Sequence, residues 1–355
     1  MHASIGRVLI SWAPAMLLLI AGFLSPAAAE QQPLTRIAFG SCADQHHPQP
    51  IWDAVLAYDP ELFIFAGDNV YGDDRSGTLM ELRVAYARAA KIEAINRLRA
   101  TRPVLATWDD HDFGMNDAGG DFPNKRASQD LFLTNWRVPE GDPRRRRDGV
   151  YHEATFGPEG RRVQIILLDT RFFRSPLKMT DERGAPGKEH YVPDDDPRKT
   201  MLGEAQWAWL REQLLKPADL RLIVSSIQVL ADGHGYERWG NIPRERQKLF
   251  TLMTETGASS VVFLSGDRHI GGLYRQTDDV PYPLYEITSS GINRAYLSAD
   301  EPGPLRLGDL YRHENFGSID IDWAMGMVTL AVRDMSGQPV RRIAISISSL
   351  KQKRR

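Results

Sequence analysis

The chain has one cysteine in 355 residues, Cys42, so no intramolecular disulfide framework can hold it together. It also lacks a charge excess. With 44 Lys plus Arg against 46 Asp plus Glu, the formal net charge is −2, which gives no general electrostatic reason to expect a specific nucleic-acid partner. Glycine (29) and proline (22) are too sparse for collagen-like or low-complexity sequence. No internal repeat is visible. Past the N-terminal segment, no run approaches the roughly 20 apolar residues that a bilayer span needs, so no transmembrane segment is expected in the mature chain. What is there is ordinary globular composition, 42% hydrophobic and 25% charged, which excludes intrinsic disorder. The length suits two domains or one large α/β unit.

The N-terminus reads as a secretory leader. Arg7 precedes the apolar residues 15–24 (AMLLLIAGFL), and Ala27, Ala28 and Ala29 form a small-residue cleavage signal before Glu30. A membrane anchor is the rival reading; Pro14 and the shortness of the run oppose it. The expectation is a signal peptide over 1–29, cleaved after Ala29, and a single catalytic domain over 30–355 in the periplasm or outside the cell. No twin arginine precedes the apolar run, so general secretion is expected. In an oxidising compartment a lone thiol is buried, paired with another molecule or bound to metal.

Along the rest of the chain, apolar runs keep ending in residues that carry chemistry. Residues 36–40 (RIAFG) read as a strand leading to Ser41-Cys42-Ala43-Asp44, and 62–66 (LFIFA) as a strand leading to Gly67-Asp68-Asn69-Val70-Tyr71. A helix over 49–58 between them gives strand–helix–strand spacing. A long amphipathic helix is expected over 81–99, from Leu82, Ala85, Ala89, Ile92 and Ile95. A short strand over 103–107 then leads to Trp108-Asp109-Asp110-His111-Asp112. The second half repeats the pattern: strand 163–168 into Asp169-Thr170-Arg171, helix 203–215, strand 222–226, helix 244–256, and strand 261–264 into Ser265-Gly266-Asp267-Arg268-His269. Strands over 284–288 and 327–332 imply a mixed sheet. The long segments 114–128, 172–200 and 295–316 are expected to be rims or lids.

Strand ends in an α/β sheet are where side chains converge on one pocket. Asp and Asn offer hard oxygen donors; His, Tyr and thiolate suit a transition metal. Two metals sharing a carboxylate can clamp a phosphate, ionise a water and stabilise an in-line displacement. Asp68, Asp110, Asp267 and His269 each follow an apolar run and have that chemistry. One GD or DH pair arises by chance; the ordered series does not do so readily.

The series FGSCAD (39–44), FAGDNVYGD (65–73), TWDDHDFGMNDAG (107–119), LLDTRFFR (167–174), MLGEAQWAWL (201–210), SSIQVL (225–230) and LSGDRHIGGLYR (264–275) resembles the D-type alkaline phosphatases (PhoD-like), in the calcineurin-like metallophosphoesterase superfamily. The resemblance extends from about residue 36 to 291. It implies a four-layer αββα sandwich, with two mixed β-sheets flanked by helices. It also implies Fe(III) and Ca2+ as cofactors, other divalent metals being compatible with the oxygen donors. By motif, Cys42, Tyr71 and His269 would ligate iron, Asp68 would bridge, and Asp110, Asn116 and Asp267 would hold calcium. His111 stands where the superfamily places an acid that stabilises the leaving group, and Arg171 where it places a phosphate-facing arginine. Many relatives carry a β-sandwich ahead of the catalytic domain; here the first motif closely follows the leader.

The implied substrate is a small phosphate ester, with a phosphodiester or phospholipid as the variant. Two other classes compete. A catalytically silent phosphate-binding protein predicts a broken donor set, whereas every matched position has a competent donor. Glycoside hydrolysis by an Asp pair leaves Cys42, Tyr71 and His269 without a task. His46, His47 and His234 are expected in solvated loops, with His234 within reach of the rim. The basic runs 144–147 and 351–355 are also expected to be solvated, and the Trp207–Trp209 helix to be packing.

Overall fold

The computed structural model describes residues 1–2 and 32–352. The expected leader beyond its first two residues, its cleavage point and the tail 353–355 fall outside them. Among the described residues, twelve strands are arranged in two six-stranded sheets. The first has the order β12-β11-β10-β1-β2-β3, with β1 (Arg36–Gly40), β2 (Leu62–Ala66) and β3 (Val104–Thr107) parallel. Beside them β10 (Phe316–Asp322), β11 (Met327–Arg333) and β12 (Pro339–Ser346) run antiparallel. The second has the order β4-β5-β6-β7-β9-β8. There β5 (Val163–Leu167), β6 (Leu220–Ser225), β7 (Val261–Ser265) and β9 (Leu284–Ser289) are parallel, with β4 (His152–Phe156) and β8 (Gly271–Gln276) as antiparallel edges. The sheets face each other through β8, β9, β10, β11 and β12.

Period-two alternation sets the layers. Ile37, Phe39, Leu62 and Ile64 face the second sheet, in one core with Ile165, Leu222 and Phe263. Their neighbours Ala38, Phe63 and Phe65 face outward, into a second core. That outer core is closed by α1 (Ile51–Tyr58), α2 (Met80–Ala89), α3 (Glu93–Thr101) and α5 (Lys125–Asn135). Trp52 packs on Phe63 with ring centroids 5.2 Å apart, and Trp136 on Phe65 at 4.8 Å. The outer face of the second sheet is covered by α6 (Gly203–Leu214) and α7 (Pro243–Thr256), through Trp207, Leu210 and Leu249. The one-turn α4 (Asp110–Phe113) follows β3 directly. Among the described residues, no helix is long and apolar enough to cross a membrane.

The helix expected over 81–99 is two helices. Ile92 is extended (φ −73°, ψ 106°) and starts α3, because α2 packs toward α5 while α3 packs toward α1. His234 is buried rather than solvated: Nε2 donates to Gln228 Oε1, and Nδ1 accepts from the Tyr236 amide. The run 144–147 is also largely structural. Arg144 pairs with Asp142 at 2.7 Å, Arg145 Nε donates to the Val138 carbonyl at 3.0 Å, and Arg147 lies 3.8 Å over the Tyr151 ring.

Candidate metal centre

The parallel strands β1, β2 and β3 of one sheet and β7 of the other end at the same place, so the loops after them meet. The backbone ties neighbouring loops together: the Ala43 amide donates to the Asp68 carbonyl at 2.9 Å, joining the loops after β1 and β2, and the Gly266 amide to the Ser226 carbonyl at 2.9 Å, joining those after β7 and β6. Turning the chain this sharply forces unusual dihedrals. Cys42, Asp68, Asp267 and His269 have φ of 61°, 50°, 67° and 57°, and Asp117 at the rim has 56°. Half of the ten non-glycine residues with positive φ among the described residues therefore lie at one spot. Such conformations cost on the order of 1–3 kcal/mol each and cluster where function demands them. Gly67, at φ 104°, sits where a Cβ would lie 2.6 Å from Asp109 Cβ.

The turns bring the donors together. Ligand atoms of Cys42, Asp68 and His269 lie within 4.8 Å of one another, as do those of Asp68, Asp110 and His111, and of Asp109, Asp110 and Asp267. Asp68 belongs to both of the first two groups, the position a bridging carboxylate requires. Tyr71 joins the first group, its hydroxyl donating to Asp68 Oδ2 at 3.1 Å. Cys42 Sγ is 3.5 Å from the same oxygen. Asn116 is exposed and lines the same cleft as Asp110 and Asp267.

Two features fit these residues to metal. Asp109 Oδ2 is buried with no hydrogen-bond partner among the described residues. Burial also works against every acidic donor in the absence of a cation. It pushes the Cys42 thiol up to about 11, and Asp68 well above the carboxylate range with help from Asp110. Asp267 is raised the same way, by burial and Asp109, and the Tyr71 phenol by burial and Asp68. Burial lowers His269 to about 4, leaving the imidazole neutral as a ligand must be. Two groups move against burial. Asp110 stays ionised beside His111 and Arg171, and His111 is held up at about 11 by Asp110 and Asp68. Sulfur, phenol and imidazole on one side and carboxylates on the other are the donors of a mixed transition-metal and hard-cation site.

Arg171, the expected phosphate-facing residue, is paired with carboxylates. Its side chain is fully buried, with Nε donating to Asp109 Oδ1 at 2.6 Å and Nη1 2.6 Å from Glu237 Oε2. Arg174 backs the same Glu237 at 2.8 Å. Asp112, to which sequence reasoning gave no role, is the clamp of the site. Its carboxylate accepts the amides of Asp109 (2.6 Å), Asp68 (3.2 Å) and Asn69 (3.3 Å). His111 Nδ1 lies 3.0 Å from Asp73 Oδ1.

Of the donors, Asp110, Asn116, Asp267 and His269 line a cleft of about 130 Å³, room for roughly four waters. That suits a phosphoryl group but not a whole organic ester. Its far wall is Tyr236, Glu237, His190 and Tyr191, the last two from the segment 172–200 expected to form a rim. Nothing in the local pattern of these loop residues marked them. A groove of about 590 Å³ adjoins the cleft through Asp117 and Tyr191. The larger cavity of about 1260 Å³, between α7 and residues 279–283, holds none of the donors.

The family of PhoD-like phosphatases matches residues 37–304. Alkaline phosphatase D of Bacillus subtilis (strain 168) is 22% identical over 287 residues, covering 69% of this chain and 47% of that protein. The chain therefore spans about half the length of that curated relative. Among solved structures, PhoD superposes with a TM-score of 0.67 at 17% identity, covering 89% of this chain and 69% of that one. A purple acid phosphatase, PPD1 from yellow lupin (Lupinus luteus) seeds, gives 0.57 at 11% identity, over 89% of this chain and 54% of that one. GAP50, the anchor in the inner membrane complex of Plasmodium, gives 0.55 at 12%, over 91% and 90%. At these identities the structural likenesses establish the fold.

Proposed function

The chain belongs to the PhoD-like phosphatase family, and from that premise we propose that it is an exported, metal-dependent phosphoesterase acting on small phosphate esters. The observation that carries the reading is the clustering of Cys42, Asp68, Asp110, Asp267 and His269 at strand ends of both sheets, with Asp110, Asp267 and His269 lining one cleft of phosphoryl size. Iron(III) held by Cys42, Asp68, Tyr71 and His269, and calcium held by Asp68, Asp110, Asn116 and Asp267, would supply Lewis acidity toward phosphoryl oxygens and a water ionised at neutral pH.

The chain's own residues do the rest. Asp112 fixes the amides of Asp68, Asn69 and Asp109, so the loops after β2 and β3 hold their carboxylates in a set geometry. His111, tied to Asp73 through Nδ1, keeps Nε2 for proton donation to the leaving oxygen. Arg171 serves by offsetting the charge of Asp109 and Glu237, which lets several carboxylates share one buried place. Cys42 is assigned to iron, and no phosphoenzyme is part of this reading. Residues 1–29 act as the leader, and 30–355 form a single catalytic domain in the periplasm or outside the cell.

A phosphodiester, including a phospholipid cleaved in phospholipase D fashion, is the second reading. It is favoured by the groove of about 590 Å³ that meets the cleft at Asp117 and Tyr191 and offers room for a second ester arm. Hydrolysis of nitrophenyl phosphate and bis-nitrophenyl phosphate by the purified protein tests both. Turnover of either supports the function and their ratio sets the preference, whereas turnover of neither by metal-reconstituted protein rejects it.

A further inference from the structure

Arg171 and Arg174 are buried and paired with Asp109 and Glu237, and neither lines the cleft. The lining is rich in carboxylates, Asp110, Asp117, Glu237 and Asp267, and the arginine among them is Arg268. Arg268 lines that cleft, between the candidate ligands Asp267 and His269. Its surroundings are built. The guanidinium lies 3.7 Å over the ring of Tyr236, itself a wall of the cleft, and Nη2 is paired with Glu301 from the segment 295–316. Both side chains of that pair are buried, at 7% and 5% exposure. Nη1 reaches toward Asp267, 4.0 Å from Oδ2, and Nε has no hydrogen-bond partner among the described residues.

A planar fork stacked on an aromatic ring, anchored at one arm and unsatisfied elsewhere, is preorganised for a phosphate oxygen. An unsatisfied buried donor is also costly, and an incoming anion would remove that cost. We infer that Arg268, anchored by Glu301 and Tyr236, is the residue that binds the phosphoryl group of the substrate, in the role expected of Arg171. The inference rests on the phosphoesterase reading and names the contact that reading left open. It also gives the segment 295–316 a task, since Glu301 orients the fork.

Inorganic phosphate titrated into the metal-loaded protein by calorimetry tests this without requiring turnover. R268Q is expected to weaken phosphate binding about 10- to 100-fold, the scale of one charge-assisted hydrogen bond, with metal content unchanged. Wild-type affinity in R268Q would overturn the assignment. Should R268Q fail to fold or to keep its metals, E301Q decides, because it leaves the guanidinium in place and loosens the anchor that orients it. Several-fold weaker phosphate binding is then expected, and unchanged or tighter binding overturns the inference. A wild type that binds phosphate through Arg268 but hydrolyses no ester would reject the proposed function while leaving this assignment standing.

Discussion

His269 Nδ1 lies 2.5 Å from the backbone carbonyl oxygen of Arg294. A carbonyl only accepts, so Nδ1 carries the proton and Nε2 is left with its lone pair. The same Arg294 places its guanidinium 4.4 Å over the ring of Tyr71 and pairs with Asp44 at 3.1 Å. One residue thus orients two candidate ligands from different sheets, and Asn293 locks the segment by accepting the Asp44 amide at 2.7 Å. The donors are held by a second layer of contacts rather than by their own loops alone.

Asp68→Asn keeps the size of the side chain but removes the charge shared by both donor groups. We expect turnover to fall at least about 1000-fold with an unchanged far-ultraviolet spectrum, the scale at which removing a key electrostatic group acts. A metal-loaded D68N with near-wild-type kcat would reject the bridging role.

Cys42→Ser replaces sulfur by a harder, less acidic donor at a site otherwise made of Asp68, Tyr71 and His269. Iron content should drop while calcium is retained. Unchanged iron by elemental analysis would return Cys42 to the role of a buried thiol.

Gly67→Ala introduces a Cβ 2.6 Å from Asp109 Cβ at a φ of 104°. Strain and overpacking together should cost about 3 kcal/mol, and activity should fall as Asp109 and Asp68 are displaced. A denaturation midpoint equal to wild type would contradict the packing described.

The strand ends were legible because β1, β2, β5 and β7 are buried on both faces and read as short continuous apolar runs. Each is followed at once by a residue of unmistakable chemistry. Two other edge strands were not: β4 (HEATF) and β12 (PVRRIAIS) are half-exposed, and their polar residues hide the pattern. The break at Ile92 carries no glycine or proline and follows from tertiary packing alone. The far wall of the cleft was also hidden, since Tyr236, Glu237 and His190 reach it through irregular loops. Arg171 was placed by its motif, but sequence could not show that Asp109 and Glu237 would occupy its guanidinium.

His152 supplies a pH dependence away from the metal centre. Burial, then Arg144, lowers it to about 4, against about 6.5 when unfolded. Above pH 6.5 neither state is protonated and stability is full. As pH falls toward 4 the unfolded chain takes the proton first, so stability is lost, by about 2 kcal/mol between pH 7.5 and 5. Urea midpoints at those two pH values should therefore move less in H152Q than in wild type. An equal shift would contradict the assignment.

The central claim is that these strand ends hold metal for phosphate ester chemistry. Elemental analysis of the purified protein, paired with nitrophenyl phosphate hydrolysis before and after chelation, tests it most directly. The account predicts bound iron and calcium, with turnover lost on chelation and restored when both are returned. Turnover that survives complete removal of metal, or a protein that takes up neither ion, would contradict it.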